Sequence, residues 1–321
     1  MDHFLLKLKK SSFLVNSLFD SYKIATWTKI ATSVAVLVFA TTLSLSYFFP
    51  ALDFRLSLLI TGLVFLGMPH GALDVYILKQ LLQTKKVLLV GLLVYIGFSL
   101  PILFVWPLYP TACFLFFMTY SLLHFTDSDM QDSTSPLKLK VIEFLARVSL
   151  PFSLPFMFHE SETLKLVSWI HPDVNLVQVK GAFVVLGSVS LVFVGVHTIL
   201  GFIRFFKNLK EADITFFEPL VVSFLFISIN PLYAFGIYFC FIHSIKHVVN
   251  VLLTVKIPSP VTILPYWLVP LAGIPILFYL NSLNQEVLGQ RVFQYIIIVL
   301  SSLALPHAIL IRYGKSKHII K

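Results

Sequence analysis

Apolar runs of about 20 residues recur along this chain of 321 residues, and each is long enough to cross the ~30 Å hydrocarbon core of a bilayer. Hydrophobic residues make up 58% of the chain and charged residues 12%, whereas soluble proteins average about 25% charged residues. Cys113 and Cys240 both lie inside apolar runs, which argues against a disulfide framework. The pattern excludes a secreted disulfide scaffold, a disordered chain and a soluble nucleic-acid binder. It predicts a polytopic membrane protein.

The fold predicted from these runs is all-α: a polytopic transmembrane helical bundle of about ten spans. The predicted spans are 27–49, 54–78, 87–106, 109–126, 138–158, 178–204, 214–229, 231–254, 261–280 and 291–312. The fifth span is interrupted by charged residues and prolines. These are Glu143, Arg147, Pro151 and Pro155. We therefore expect a broken or tilted helix there, which a bundle tolerates where neighbours satisfy the freed backbone groups.

The basic residues predict the orientation, because cytoplasmic loops of membrane proteins carry an excess of Lys and Arg. Of the 24 Lys and Arg residues, 18 lie on one side of the ten-span topology, four on the other and two within spans. Both ends are therefore predicted to be cytoplasmic, with the chain crossing the cell (inner) membrane many times. The net charge of +9 is assigned to this topology rather than to nucleic acid.

The predicted organisation has three parts. They are a basic cytoplasmic N-terminal segment (1–26), a single transmembrane catalytic domain (27–312) and a basic cytoplasmic tail (313–321). No cleavable signal peptide is evident, since no short apolar core with a small-residue cleavage site follows the first lysines.

Five histidines are predicted to lie at one depth in the bundle. They are His70, His124, His243, His247 and His307. Each follows the start of span 2, 4, 8 or 10 by roughly 12–16 residues, and all four spans run from outside to inside. At about 1.5 Å per residue, the rings lie up to about 24 Å along their helices, in the inner half of the bilayer. A single buried histidine is more often a packed core residue, but five at one depth favour a shared site. His197 on span 6 is left outside this set.

His243 and His247 form an H-x-x-x-H pair, whose spacing places both imidazoles on one helix face, where they can share a metal ion. His70 and His124 are the obvious third and fourth ligands. Neutral imidazoles suit iron, zinc, copper and nickel, so the ligand type alone does not identify the metal.

Carboxylates near these histidines can accept the second ring N–H of a ligand and offset the charge of a divalent ion. The candidates are Asp74, Asp127 and Asp129. For Asp127 and Asp129, a solvated loop after span 4 is an equal alternative. His307, which follows Pro306, is predicted to contact a ligand or to line the substrate pocket, because four imidazoles already make a workable centre.

At these residues the sequence resembles the Brp/Blh family of bacterial and archaeal integral-membrane β-carotene 15,15′-dioxygenases. The resemblance is carried by Pro69-His70-Gly71-Ala72-Leu73-Asp74, His124-Phe125 with Asp127 and Asp129, the His243/His247 pair and Pro306-His307. The order and separations agree from about 54 to 312. The stretch before about residue 50 resembles a variable N-terminal extension.

The resemblance implies a non-haem Fe²⁺ enzyme that cleaves the central double bond of β-carotene with O2 to give two molecules of all-trans-retinal. It implies that His70, His124, His243 and His247 hold the iron, and that no protein residue acts as a covalent nucleophile. The implied partners are a carotenoid, O2, the lipid bilayer and a rhodopsin that receives retinal. Aromatic residues in spans 4, 8 and 9 are candidates to line a polyene tunnel, although packing is favoured for each one singly.

Three alternatives fit a histidine-rich membrane protein. A membrane di-iron hydroxylase or desaturase would need roughly eight histidines, and only six lie within the predicted spans. A metal-ion or proton transporter would place polar groups at several depths, but the outer halves of these spans carry few charges. A bis-histidine haem protein would show a Soret band.

Overall fold

The computed structural model describes most of the predicted bundle. The described residues are 26, 29–45, 47–48, 55–82, 84–130, 137–171, 174, 176–207, 214–255, 288–317 and 319–320. Within them every regular element is helical, so the all-α prediction is confirmed for this part of the chain. The predicted ninth span (261–280) and nearly all of the N-terminal segment (1–26) lie outside the described residues.

The helices follow one another with short connections. They are α1 (Lys29–Leu45), α2 (Arg55–Gly62), α3 (Met68–Ala72), α4 (Asp74–Leu81), α5 (Lys85–Val105), α6 (Pro110–Asp129), α7 (Leu137–Arg147), α8 (Leu150–Phe158), α9 (Glu160–Ile170), α10 (Val177–Lys207), α11 (Glu218–Ser228), α12 (Pro231–Ile237), α13 (Ile245–Thr254) and α14 (Leu288–Ser316). A π-helical turn, Leu63–Gly67, joins α2 to α3, and a second, Tyr238–Ser244, joins α12 to α13.

Five described helical stretches are long and apolar enough to cross a membrane. They are Leu58–Leu81, Lys85–Val105, Val179–Lys207, Pro231–Thr254 and Gln290–Ser316. The predicted break in the fifth span is confirmed, since Leu139–Arg147 and Leu150–Phe158 meet at an angle of 48°. The helices α1, α6 and α11 occupy three more predicted spans but are not among the five. The number ten and the cytoplasmic ends therefore remain predictions.

The surface of α5 shows what these helices contact. Only 6% of its apolar window is buried within the protein, and side chains such as Leu93 (59% exposed) and Phe104 (72%) point outward. Large apolar side chains on contiguous surface favour a non-aqueous environment, because exposing them to water is unfavourable. This surface supports a membrane protein.

Two of the membrane-length stretches are interrupted helices, and they pack along each other. The helix α12 begins at Pro231, and its N-cap Asn230 accepts a hydrogen bond from the Leu232 N–H through its side chain (3.0 Å). From there α12 packs on α2, the two π-helical turns meet, and α13 packs on α3. Around this pair, α10 packs on α7 and α8, while α14 contacts α4, α5, α6 and α9. π-helical turns frequently occur at functional sites, and both of these turns lead directly into histidine-bearing segments.

The crossing of the two interrupted helices depends on a glycine. A Cβ added at Gly62 would lie 2.8 Å from Cys240 Sγ and 3.1 Å from Cys240 Cβ. We predict that Gly62→Ala destabilises the protein by about 1–3 kcal/mol, since the buried Cys240 cannot move away freely. Thermal unfolding in detergent measures this effect. The matched control is Gly97→Ala on α5, where an added Cβ meets nothing within 4 Å; an equal loss there would contradict the steric explanation.

Candidate metal centre

Five buried imidazoles converge at the centre of the bundle. They are His70 in α3, His124 in α6, His243 in the second π-helical turn, His247 in α13 and His307 in α14, and each is at most 9% exposed. The ring centroid of His70 lies 4.6 Å from that of His307, 4.8 Å from that of His247 and 5.5 Å from that of His243. His124 completes the group, with centroid distances of 4.9 Å to His307 and 5.3 Å to His243. The structure therefore brings together the five histidines that the sequence grouped by depth.

His307 lies further inside this cluster than the sequence suggested. Its Nε2 is 3.0 Å from His70 Nε2, and its Nδ1 lies 2.8 and 2.9 Å from the two carboxylate oxygens of Asp74. Two nitrogens that bind one ion at a right angle, each about 2.1 Å away, would be about 3.0 Å apart. The contact with His70 agrees with the predicted role beside a ligand, and the same geometry makes His307 a fifth candidate ligand.

Asp74 is held in place from a second side. The Tyr95 hydroxyl on α5 donates a hydrogen bond to Asp74 Oδ2 (2.7 Å), so one carboxylate joins α4, α5 and α14. On the other side of the pair, Ser244 Oγ lies 3.3 Å from His70 Nδ1. Because an imidazole is oriented by the partner of its second nitrogen, Asp74 fixes the ring of His307 and Ser244 contributes to fixing that of His70.

The two aspartates after His124 have different surroundings, which decides between the alternatives that the sequence left open. Asp129 is buried, accepts a hydrogen bond from the Tyr238 hydroxyl (2.7 Å) and lies 3.4 Å from His243 Nδ1. Asp127 instead pairs with Lys315 (2.6 Å), and its side chain is 60% exposed. Asp129 therefore orients a histidine of the cluster, whereas Asp127 belongs to the solvated surface.

Several ring nitrogens of the cluster have no hydrogen-bond partner among the described residues although they are fully buried. They are His124 Nε2, His243 Nε2 and both nitrogens of His247. Leaving a buried polar atom unpaired typically costs about 1–3 kcal/mol, so such atoms call for an explanation. Convergent imidazole lone pairs are what a transition-metal ion requires, and the residues present therefore fit a metal.

Aromatic rings cover one side of the histidines. The Phe125 ring centroid lies 4.6 Å from that of His243, and Phe239 lies 5.8 Å from both His243 and His70. Both phenylalanines are buried in the main hydrophobic core. They separate the polar cluster from the rest of the interior, which keeps water away from it. A polyene tunnel in spans 4 and 8 remains a prediction, and its span 9 wall lies outside the described residues.

A buried ionic network adjoins the cluster, and sequence reasoning did not assign it a role. Arg147 contacts Glu143 (3.1 Å) and Glu218 (2.9 Å), and Lys246 Nζ lies 2.6 Å from both oxygens of Glu218. His197, which the sequence left outside the ligand set, lies 3.8 Å from Glu143 and away from the cluster. Opposite charges inside apolar spans were the available signal, because ionisable groups at such positions are usually paired and functional.

Asp129 and Asp127 offer a matched test of the geometry. We predict that Asp129→Asn lowers the affinity for a divalent metal by about 10–100-fold, because the amide holds His243 less well and removes a buried negative charge. Asp127→Asn removes the same charge from a solvent-exposed ion pair, so its metal affinity should stay within about twofold of the original value. Metal titration of the purified variants measures both. Equal losses in the two variants would contradict the placement.

Comparison with known proteins agrees with this geometry. Residues 61–313 match the sequence model of the family described as beta-carotene 15,15'-dioxygenase. A curated protein of an uncultured marine bacterium (66A03), named beta-carotene 15,15'-dioxygenase, is 28% identical over 263 residues, which cover 78% of this chain and 90% of that protein. No solved structure matches the chain significantly. The matched region contains all five clustered histidines together with Asp74 and Asp129.

Proposed function

The chain belongs to the beta-carotene 15,15'-dioxygenase family, and from that premise we propose that it cleaves the central double bond of β-carotene with O2, giving two molecules of all-trans-retinal. One oxygen atom goes to each aldehyde, so the reaction needs no hydrolytic water and no protein nucleophile. The observation that carries the proposal is the convergence of five buried imidazoles whose ring nitrogens include four without a partner among the described residues.

The cofactor that we propose is Fe²⁺, held by His70, His124, His243 and His247, with His307 against His70. When bound, the ferrous ion supplies the redox chemistry that allows O2 to react with an alkene. Imidazole ligands suit iron, and four neutral rings leave room in its coordination sphere for reactants.

The remaining residues of the site orient and shield. Asp129 holds His243 through Nδ1 (3.4 Å), which leaves His243 Nε2 directed into the cluster. Asp74 holds His307 in the same way (2.8 Å). Phe125 and Phe239 cover the rings on one side, and their apolar faces suit a conjugated hydrocarbon better than water. Geometry and exclusion of water are thus what the protein contributes.

The bilayer is the proposed source of the substrate. A long hydrocarbon such as β-carotene partitions into lipid, so a site within a membrane protein avoids transfer of the substrate through water. The five membrane-length helices and the exposed apolar surface of α5 support this location. We further propose that the protein lies in the cell membrane and that retinal passes from it to a rhodopsin.

Expression of the chain in cells that already make β-carotene tests the proposed reaction. The cells are expected to lose their orange colour and to accumulate retinal, as measured by chromatography of extracted pigments. A matched culture expressing a His243→Ala variant should keep its carotene. Unchanged carotene in cells that contain inserted, iron-loaded protein would overturn the proposal.

A further inference from the structure

The buried charges of the described chain add up to an amount that matches a divalent cation. Six buried side chains in the described part of the chain carry a formal charge. They are the carboxylates Asp74, Asp129, Glu143 and Glu218 and the cations Arg147 and Lys246. Four negative and two positive charges leave a formal balance of minus two. With neutral imidazoles, the interior therefore carries the charge that one divalent ion neutralises.

We propose that the ionic network of Glu143, Arg147, Glu218 and Lys246 sets the charge of the metal centre, and that Glu218 and Lys246 tune its affinity for Fe²⁺ in opposite directions. The inference rests on the proposed Fe²⁺ site. It assigns a role to residues that do not contact the metal ligands through their own side chains, and that the proposed reaction does not otherwise use.

The network is continuous with the histidine cluster. Lys246 lies on α13 between His243 and His247, and its Nζ is 3.5 Å from the backbone oxygen of Asp129. Asp129 in turn contacts His243. From Lys246 the chain of contacts runs to Glu218 at the start of α11 and then to Arg147 at the end of α7. Each of these side chains is at most 8% exposed, so little solvent separates the charges from the centre.

Low exposure makes these charges effective at a distance. Salt and water screen charges at a protein surface, but they screen buried charges much less. A divalent ion held only by neutral imidazoles would be an uncompensated charge in a medium of low dielectric constant, which is strongly unfavourable. The excess of buried carboxylate offsets that charge, while Arg147 and Lys246 keep the metal-free interior from carrying four like charges.

A role in charge balance and a role in packing predict different results. Loss of either partner of a buried ion pair destabilises the fold, whichever charge is removed. The electrostatic effect on a cation instead has a sign: removal of a carboxylate weakens Fe²⁺ binding, and removal of an amine strengthens it. Two variants of one ion pair therefore separate the two roles.

The experiment measures anaerobic Fe²⁺ affinity of the full chain in detergent by competition with a chelator. Glu218→Gln is expected to bind Fe²⁺ about tenfold more weakly, at the lower end of the range for residues outside the ligand set. Lys246→Met is expected to bind Fe²⁺ at least as tightly as the unmodified protein. The double variant keeps the formal balance of minus two and should return close to the original affinity.

The matched control is Glu160→Gln, which removes the same group from an ion pair with Lys180 that is 36% and 46% exposed. Its Fe²⁺ affinity is expected to be unchanged, because solvent screens this pair. Weaker binding in both Glu218→Gln and Lys246→Met would overturn the inference in favour of packing. So would a double variant that folds but does not recover Fe²⁺ binding.

A measurement on the unmodified protein covers the case in which the variants do not fold. The charge balance predicts that the protein binds Fe²⁺ more tightly than Ga³⁺, a redox-inert trivalent ion, and equal affinities would contradict it. If the unmodified protein binds no Fe²⁺, the proposed cofactor is wrong. If it binds Fe²⁺ without these differences, only the charge-balance inference is wrong.

Discussion

A His247→Leu variant is expected to lose both bound iron and retinal formation, yet to be no less stable than the unmodified protein when both are free of metal. Both ring nitrogens of His247 are buried without a partner among the described residues, and the ring is 1% exposed. Such a ring is unfavourable in a metal-free interior, whereas leucine of similar volume leaves no polar atom unpaired. A ligand role is the one role for which this residue improves function at the expense of stability.

Iron content and retinal yield measure the first half of this prediction, and thermal unfolding after chelation measures the second. Retinal formation should fall by more than about 100-fold, beyond the usual effect of residues that only support a ligand. His159→Leu is the matched control, because its Nε2 contacts the Ile227 carbonyl (3.0 Å) away from the cluster. A marked loss of stability in metal-free His247→Leu, with iron retained, would show that His247 is a packing residue.

Metal exchange is expected to separate stabilisation from catalysis. Removal of iron by a chelator should abolish retinal formation and lower the thermal midpoint, because a ligand that binds only the folded state stabilises it. At a free Fe²⁺ concentration of 100 times Kd, this stabilisation is about 2.7 kcal/mol. Zn²⁺ should restore much of the stability, since imidazoles bind it well, but it should not restore cleavage, since it has no redox chemistry.

The decisive comparison is between Fe²⁺ and Zn²⁺ at equal occupancy of the same purified sample. Recovery of retinal with Fe²⁺ alone agrees with a redox role for the metal. Equal activity with Zn²⁺ would contradict that role and would require a different kind of reaction. No change in the thermal midpoint with either ion would contradict the metal centre itself.

The sequence predicted the parts of this protein that depend on spacing along single helices. Apolar runs predicted helices, prolines predicted the break near Arg147, and the position of each histidine within its run predicted that His70, His124 and His307 meet. These predictions succeed because a helix converts residue number into depth at a constant rise.

The sequence did not predict contacts that depend on how helices pack. Arg147 and Glu218 are 71 residues apart, and nothing in either segment identifies the other as its partner. The separation of Asp127 from Asp129 was likewise undetermined, because the direction of each side chain depends on where α6 ends against its neighbours. The π-helical turn containing His243 has no signature in the residues themselves; it follows from the close crossing at Gly62 and Cys240.

The central claim is that Fe²⁺ in the histidine cluster carries out the cleavage. The most direct test is an anaerobic titration of the metal-free protein with Fe²⁺, followed by addition of β-carotene and O2 and measurement of retinal. Retinal formation is expected to rise in proportion to bound iron and to saturate at one iron per chain. Retinal formation that does not depend on bound iron, or its absence from fully loaded protein, would contradict the claim.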